Sequence, residues 1–453
     1  MTANAQPLRI AIIGAGPAGL ALASTLVLEK ASTHLVTVYE AASELREVGA
    51  GVTISGRSLA IARSIGMEEA FNEMDQYRNA GDAEMKGLCR RSDKPEGYTF
   101  CMPAFGRGIS FHRAQFRDSF AKHLEKFEQV EIKLGKRLAN VERDTATGEY
   151  SVSFADGSLV IADVVVGADG YRSPTRYAML KLAAEDLKQP SLNDLAPAIF
   201  SGQWAYRAAI PVAHFRETWS RLAGPNAAEH RVFTRRSSMC YCGIGHHIPT
   251  YLIAGRTLVN TAVFVTDLSR YGEFMPESEH VQPEVDTAHL VEMFKSWELE
   301  LRAVIEAMGK ANLWAINVTQ KLPFFAHERI AVIGDAAHAM QTHLANGANQ
   351  SIEDAYVLGR VLNAPGVTRA NAHLALQSFS TTRMPRAQTV AESSREVGML
   401  IDWMYTFPGE DAWGTDEDRQ REAFMKIMEW VPKGDADDEV KVALETFRHL
   451  AEL

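Results

Sequence analysis

The chain has 453 residues, too many for one simple core, and its 46% hydrophobic, 23% charged composition is that of an ordinary globular protein with two or three domains or one large α/β unit. A net charge of −10 argues against nucleic acid as the main partner, because phosphate binding needs a basic face. Cys89, Cys101, Cys240 and Cys242 give no disulfide framework, and a lone C-x-C lacks the second ligand pair of a zinc site, so reduced thiols and no metal are expected. The N-terminal MTANAQPLR has no secretory apolar core, no run of about 18 apolar residues could form a transmembrane helix, and the final Ala-Glu-Leu matches a peroxisomal Ser-Lys-Leu poorly. A cytoplasmic protein without membrane partner is the expectation.

Arg9–Ile13 is a short apolar run suited to a buried parallel strand. Gly14, Gly16 and Gly19 follow at G-x-G-x-x-G spacing, Leu20–Leu28 continues as an Ala-rich helix, and a second strand, Leu35–Tyr39, ends on Glu40. The glycines differ in what they do. Gly14 turns the chain, Gly16 lets a pyrophosphate approach the backbone, and Gly19 packs helix against sheet. The helix N-terminus offers free N–H groups, and Glu40 can accept ribose hydroxyls. This context predicts dinucleotide binding, with FAD and nicotinamide both open and an acid at Glu40 disfavouring NADP in this site.

Glu47–Thr53 carries two glycines suited to close approach of a ligand or to a plain turn. Arg57–Ile65 reads as an amphipathic helix stopped by Gly66. Ala80–Met102 holds strand-like pieces of a second domain. Phe111–Leu124 becomes a helix after His112, with Arg113 a candidate phosphate or flavin contact. Val130–Val141 and Tyr150–Phe154 read as strands, and Asp156-Gly157 as a hairpin turn before Leu159. Ala162–Val166 runs into GADGYRSPTR, placing Asp169, Gly170, Arg172 and Arg176 outside the carboxyl end of a strand, where ligands of open parallel sheets bind.

Phe200–Val212 and Arg231–Phe264, rich in aromatic and β-branched residues, predict a mostly antiparallel sheet. Val281–Met308 is expected to be helical, with Trp297 and Leu301 in its core face. Arg329–Ile333 is another buried strand, running into Asp335 and a Gly347 loop that opens a helix near Gln350. Glu353 and Asp354 are expected in its first turn, where acids suit the dipole. Ala372–Val397, with Arg383, Pro385 and Arg386, and the polar remainder to Leu453 read as helices that pack outside or meet a second subunit.

GAGPAG at Gly14 with Glu40, VVVGADGYRS at Val164–Ser173 and GDAAH at Gly334–His338, in that order, resemble the single-component FAD-dependent aromatic hydroxylases, closest to the fungal salicylate hydroxylase-like monooxygenases. EVGAGV, FHRAQFRDSF, FSGQWAYRAAIP and FSTTRMPRAQ extend the resemblance from Leu8 to about Val397. It implies an α/β fold with an α+β substrate insertion. A discontinuous Rossmann-like FAD-binding domain (1–80, 105–180, 290–375) would combine with a mostly antiparallel substrate-binding sheet (81–104, 181–289) and C-terminal helices (376–453). It further implies that Gly14, Gly16, Ala18, Gly19 and Glu40 hold the ADP half of FAD. Arg113 would contact the flavin side, Asp169 and Gly170 would serve FAD and the nicotinamide, and Asp335 would bind the ribityl or pyrophosphate part. The loop from His343 to Asn349, with Gly347 and Ala348, would lie against the isoalloxazine.

The chain departs from the family where many salicylate hydroxylases read P-H-Q-G-A-G-A-G-Q and this sequence has Thr342-His343-Leu344-Ala345-Asn346-Gly347-Ala348-Asn349-Gln350. A P-N segment after EVGAGV is replaced by Gly56-Arg57, placing Arg57 either near the site or at the surface.

The implied reaction is hydroxylation of a phenolic or amino-substituted benzoate (salicylate- or 4-hydroxybenzoate-like) with tightly bound FAD, NADH or NADPH, and O2. It would pass through a flavin C4a-hydroperoxide, with CO2 released if the carboxylate sits on the attacked carbon. A base must favour the phenolate, and His343 is the candidate because imidazole titrates near operating pH. A cation must hold the carboxylate, and Arg207 is the candidate. His246 and His247, on the substrate sheet, are alternates, and His338 in GDAAH reads as structural. The competing expectation is an FAD epoxidase or tailoring oxygenase acting on a larger neutral substrate. The partner is a small aromatic acid, and a monomer or homodimer is expected.

Overall fold

A computed structural model of the chain describes residues 7–28, 34–45, 51–74, 87–103, 108–234 and 238–452. Two sheets organise it. The first has six strands in the order 326–327, 330–332, 164–167, 9–13, 35–39, 130–133, all parallel except the edge pair Ala326–His327 with Ile330–Val332. Ile10, Ile12, Val36, Val38, Val164, Val165, Val166, Ala331 and Val332 are buried in it, as expected for strands covered on both faces. Each such Ile or Val contributes about 1.5–3 kcal/mol through burial.

The helix Pro17–Val27 is buried from Ala18 onward, which explains its apolar, Ala-rich surface on all sides. It packs against the helix Gly347–Leu362, where a Cβ on Gly359 would stand 2.7 Å from Thr25 Cγ2. Small residues here let two helices far apart in sequence pack closely near their C-terminal ends.

The second sheet has eight strands in the order 281–286, 310–318, 199–211, 258–266, 246–253, 239–243, 88–91, 98–101, antiparallel except where Leu88–Arg91 joins Met239–Gly243. One face packs on the helices Val212–Ala223, Ala288–Met293 and Leu299–Met308 through Phe215, Leu290, Leu301, Val304 and Ile305. The other lies under the end of the helix Ala372–Ile401 and the helix Glu417–Trp430. Tyr150–Phe154 and Leu159–Ala162 form the expected hairpin, with Gly157 at φ +81° and Ser158 N–H donating to Asp156 Oδ1.

Three expectations need correction. Val281–Asp286 is a strand, not the start of a helix; it is an exposed edge carrying Pro283, and pairing with Lys310–Val318 overrides its local pattern. The helix Val212–Ala223 and the strand Lys310–Val318 were not expected from the sequence, and the latter carries the second sheet beyond residue 289. Glu353 and Asp354 lie beyond the first turn of a helix that begins at Gly347, and both are buried.

Those two acids anchor an internal ion network. Arg57 donates to Glu353 through Nε and Nη2, both at 3.0 Å, and to Glu439 at 2.6 Å, so it is neither exposed nor in the site. Arg383, wholly buried, donates to Asp354 at 2.9 Å, to Glu353 at 3.2 Å, to Gln350 at 2.8 Å, and to Glu439. His338 meets Asp354 Oδ2 at 2.5 Å, and the same oxygen accepts the Gly334 N–H at 3.0 Å. His338 therefore braces the turn that presents Asp335.

Candidate active site

The parallel strands of the first sheet end side by side on Asp335, Asp169, Gly14 and Glu40, in sheet order. Gly14 has φ +106°, and a Cβ there would stand 2.4 Å from Ala168 O; a Cβ on Gly19 would stand 2.0 Å from Gly14 O. Both glycines are required by backbone contact. Gly16 faces open space, with no atom within 4 Å of a Cβ, as a cradle for a pyrophosphate would. Ala18 joins two motifs, its Cβ lying 3.0 Å from where a Gly334 Cβ would be.

Glu40 accepts from Ala15 N–H at 2.9 Å and from Ala42 N–H at 2.8 Å, one on each carboxylate oxygen, leaving further lone pairs for a ribose. Asp169 Oδ2 accepts from Thr175 N–H and Oγ1–H, while its Oδ1 is buried without a partner. Burial pushes the Asp169 carboxyl above its ordinary range. Gly170 turns at φ +78°. A Cβ on Gly347, first residue of its helix, would lie 3.8 Å from Asp335 Oδ1, and Ala348 follows in the same first turn.

Arg113 opens the helix Arg113–Leu124, and its side chain lies outside the described residues, as do Glu47–Ala50. On the same helix Arg117 is buried, its Nε and Nη2 without a partner among the described residues, a cation that the sequence did not single out. The other arginines after GADG are structural. Arg176 spends its guanidinium on the carbonyls of Ala196, Ala336 and Tyr171, and burial lowers its pKa to about 10. Arg172 is paired with Glu277 near the surface. The unpartnered Asp169 oxygen and the open Gly16 cradle, at neighbouring strand ends, fit a dinucleotide.

The second half of the site is the helix-covered face of the eight-stranded sheet. Its centre is Asp402, buried and one residue past the helix Ala372–Ile401. A carboxylate only accepts, and this one fixes its neighbours. Oδ1 accepts from His247 Nδ1 at 2.6 Å; Oδ2 accepts from Thr266 Oγ1 at 2.6 Å and faces Gln203 Nε2 at 3.4 Å. Gln203 Nε2 also donates to Thr266 Oγ1 at 2.9 Å. The Gln203 amide therefore turns its oxygen the other way, to accept from Gln341 Nε2 at 2.7 Å and from His343 Nε2 at 2.8 Å.

A proton on Nε2 leaves His343 Nδ1 as a bare acceptor, and that nitrogen is buried without a partner among the described residues. Its Nε2 edge lies against Gly398, where a Cβ would stand 2.4 Å from His343 Cδ2, so Nδ1 faces away from the helix. Burial, then the neighbouring His247, push His343 well below the ordinary histidine range and hold it neutral. The His247 ring stacks on Phe264 with centroids 4.4 Å apart and meets His343 edge-on at 4.7 Å.

Along the strand Ile199–Pro211, Gln203, Ala205 and Arg207 share one face. Ala205, Ala262 and Phe264, with Trp314 and Ile316, form an apolar floor, and the Arg207 guanidinium lies 5.9 Å from the Trp314 ring centroid. His343 and Arg207 thus bracket this floor, whose bounding residues Gln203 and Arg207 are roughly 13 Å apart along the strand. His247 belongs to this face; His246 turns to the opposite one, against Phe294 and Trp297, and leaves the candidate set. Gln203, Thr266, Gln341 and Asp402 join the site without having been expected from the sequence.

The altered loop has its own logic. Ala345 adopts φ +48° where the family motif has glycine. Asn349 accepts the Ser55 N–H and donates to Thr53 O, tying the loop to the strand Gly51–Ser55. Asn346 stands at the N-cap position of the following helix without bonding its free N–H groups, and its side-chain oxygen accepts from Gln350 Nε2 instead.

A dinucleotide cradle at one sheet and a histidine-bearing apolar face on the other define a flavin-dependent oxidoreductase. The chain belongs to the FAD binding domain family, whose model matches residues 8–194 and 231–394. It is 31% identical to a salicylate hydroxylase of Pseudomonas putida over 98% of this chain and 96% of that one. It is 28% identical to the 6-methylsalicylate 1-monooxygenase atA of Aspergillus terreus, over 98% and 93%. The structure of a salicylate hydroxylase substrate complex superposes with a TM-score of 0.80 at 26% identity, covering 96% of this chain and 98% of that one. The protein is an FAD-dependent flavoprotein of the aromatic monooxygenase class. Among the described residues no helix is long and apolar enough to cross a membrane, and no cluster of metal ligands occurs.

Proposed function

We propose that the protein uses NADH or NADPH to hydroxylate a phenolic or amino-substituted benzoate, salicylate-like in the first instance, with loss of CO2 where the carboxylate sits on the attacked carbon. The observation that carries this reading is the apolar floor of Ala205, Ala262 and Phe264 set between an unpartnered imidazole nitrogen of His343 and the Arg207 guanidinium. A flat aromatic acid matches that sequence of acceptor, apolar surface and cation. The relatives named for salicylate and 6-methylsalicylate support the same class.

Gly14, Gly16, Ala18, Gly19, Glu40, Asp169, Asp335, Gly347 and Ala348 would hold FAD, with Arg113 from the helix beside them, and when bound it would supply the redox and oxygen chemistry. His343 Nδ1 takes the phenol proton and so raises electron density on the ring. Arg207 holds the carboxylate and orients the ring on its floor. His247 and Asp402 keep His343 in its proton-accepting tautomer through Gln203. Phe264, Trp314 and the covering helices exclude water.

The test follows NADH and NADPH oxidation with salicylate and with 4-hydroxybenzoate while analysing product and CO2. Rapid oxidation coupled to a hydroxylated, decarboxylated product is expected with salicylate. Oxidation unstimulated by either acid would contradict the reading.

A further inference from the structure

All four cysteines of the chain meet on the helix-covered face of the eight-stranded sheet. Cys89 lies opposite Cys101 across an antiparallel pair and beside Cys240 across a parallel one. Cys242 follows on the same face, its Sγ 3.7 Å from Cys240 Sγ. Cys89 is thus flanked by a cysteine on each neighbouring strand, and His247 is paired in register with Cys242. All four are free; Cys240 is the least buried. Leu344 of the candidate flavin loop, and Met340 shortly before it, belong to the same packed group.

A buried cysteine ordinarily serves as a small hydrophobe. Packing alone does not require that every thiol of the chain share one site, nor that they touch through sulfur. Neighbouring thiols, Cys101 first, hold Cys89 below the ordinary thiol range and favour its anionic form. Residues directly opposed in an antiparallel pair have Cα atoms about 4.5–5.5 Å apart, inside the span a disulfide bridges.

We propose that this cluster is a peroxide-reactive modification site that closes an intramolecular disulfide on Cys89, with Cys101 as the partner favoured by register. A thiol of the cluster ionises and its thiolate attacks one oxygen of hydrogen peroxide; the O–O bond breaks, and the departing hydroxide takes up the proton released on ionisation to leave as water. The resulting sulfenic acid is attacked by the neighbouring thiol, an S–S bond forms, and the S–OH oxygen leaves with that thiol's proton as a second water. Two thiols are oxidised by two electrons in all, and the peroxide is reduced by the same two. Hydrogen peroxide comes from outside the protein and meets the cluster at Cys240, the one cysteine of the four that is not buried.

The experiment treats the FAD-loaded full chain with a modest molar excess of hydrogen peroxide, alkylates the denatured product, and counts thiols by intact mass. Trypsin separates Cys89, Cys101 and the Cys240/Cys242 pair onto three peptides, so the linkage is read directly. The expected result is loss of two of the four thiols, reversal by dithiothreitol, and a dominant Cys89–Cys101 cross-link. Cys89→Ser should abolish the link within one chain; should that variant misfold, the peptide map of the unaltered protein decides alone. Four alkylatable thiols after treatment, a link lacking Cys89, links only between chains, or irreversible sulfinic products alone would each overturn the proposal.

Discussion

At the carboxyl end of the six-stranded sheet, Gly14, Glu40, Asp169 and Asp335 each follow a strand end closely, and the backbone does most of the work. On the eight-stranded sheet, Gln203, His247, Phe264, His343 and Asp402 come from separate elements and act through their side chains. A phosphate cradle needs contiguous backbone in fixed conformations, so its residues stand at fixed spacing. A substrate face needs only the right atoms in space, and strand pairing can deliver them from anywhere in the chain. The two regions should therefore fail differently when mutated.

The largest loss is expected at the brace of the cofactor end. Arg383→Ala leaves Asp354 buried without its arginine and takes from Glu353 the second of its two buried arginines, Arg57 being the first. Breaking a buried pair in this way costs about 3–5 kcal/mol. Chemical denaturation should show that drop, with loosened FAD; an unchanged midpoint would mean that the network contributes nothing to the fold.

On the substrate face, Arg207→Ala should leave FAD binding and folding intact and raise KM for a carboxylate substrate, with kcat much less affected. Steady-state kinetics with a benzoate and its uncharged amide would sharpen this, because only the acid should be penalised. Equal effects on both would move the anion site elsewhere.

The smallest change concerns the loop between the two regions. Ala345 sits at φ +48°, which costs a residue with a Cβ about 1–2 kcal/mol relative to glycine. Glycine also makes the unfolded chain more flexible, so Ala345→Gly should be neutral to mildly stabilising, within about 1 kcal/mol. A clear fall in Tm would show that the Ala345 methyl packs favourably.

The same contrast explains what was readable from sequence. GAGPAG, GADG and GDAAH stood out because close backbone approach permits few residues: a Cβ at Gly14 or Gly19 would collide with the main chain. The strands of the first sheet were legible as continuous apolar runs. The polar residues that fix His343 were not, since Gln203 and Gln341 look like any strand or loop glutamine. Asp402 did leave a signal: an acid at the C-terminal end of a long helix opposes the helix dipole, and such a residue has another use. Arg57 and Arg176 misled for the opposite reason. They stand beside cofactor motifs in sequence, yet an ion network and three carbonyls consume them. The strand Val281–Asp286 was hidden because its neighbour, Lys310–Val318, decides its conformation.

The most direct test of His343 as the base is the pH dependence of product formation in the parent protein and in His343→Ala, with flavin content read from absorbance. His343 is held neutral below the ordinary histidine value near 6.5, so its proton-accepting form persists into more acid solution. The acid limb of kcat/KM should accordingly fall below pH 6.5 in the parent. In His343→Ala, FAD should remain bound while product formation falls by roughly 10²–10⁴-fold, the usual worth of a general base. A variant that keeps both its turnover and the parent pH profile would show that the unpartnered nitrogen of His343 is not where the phenol proton goes.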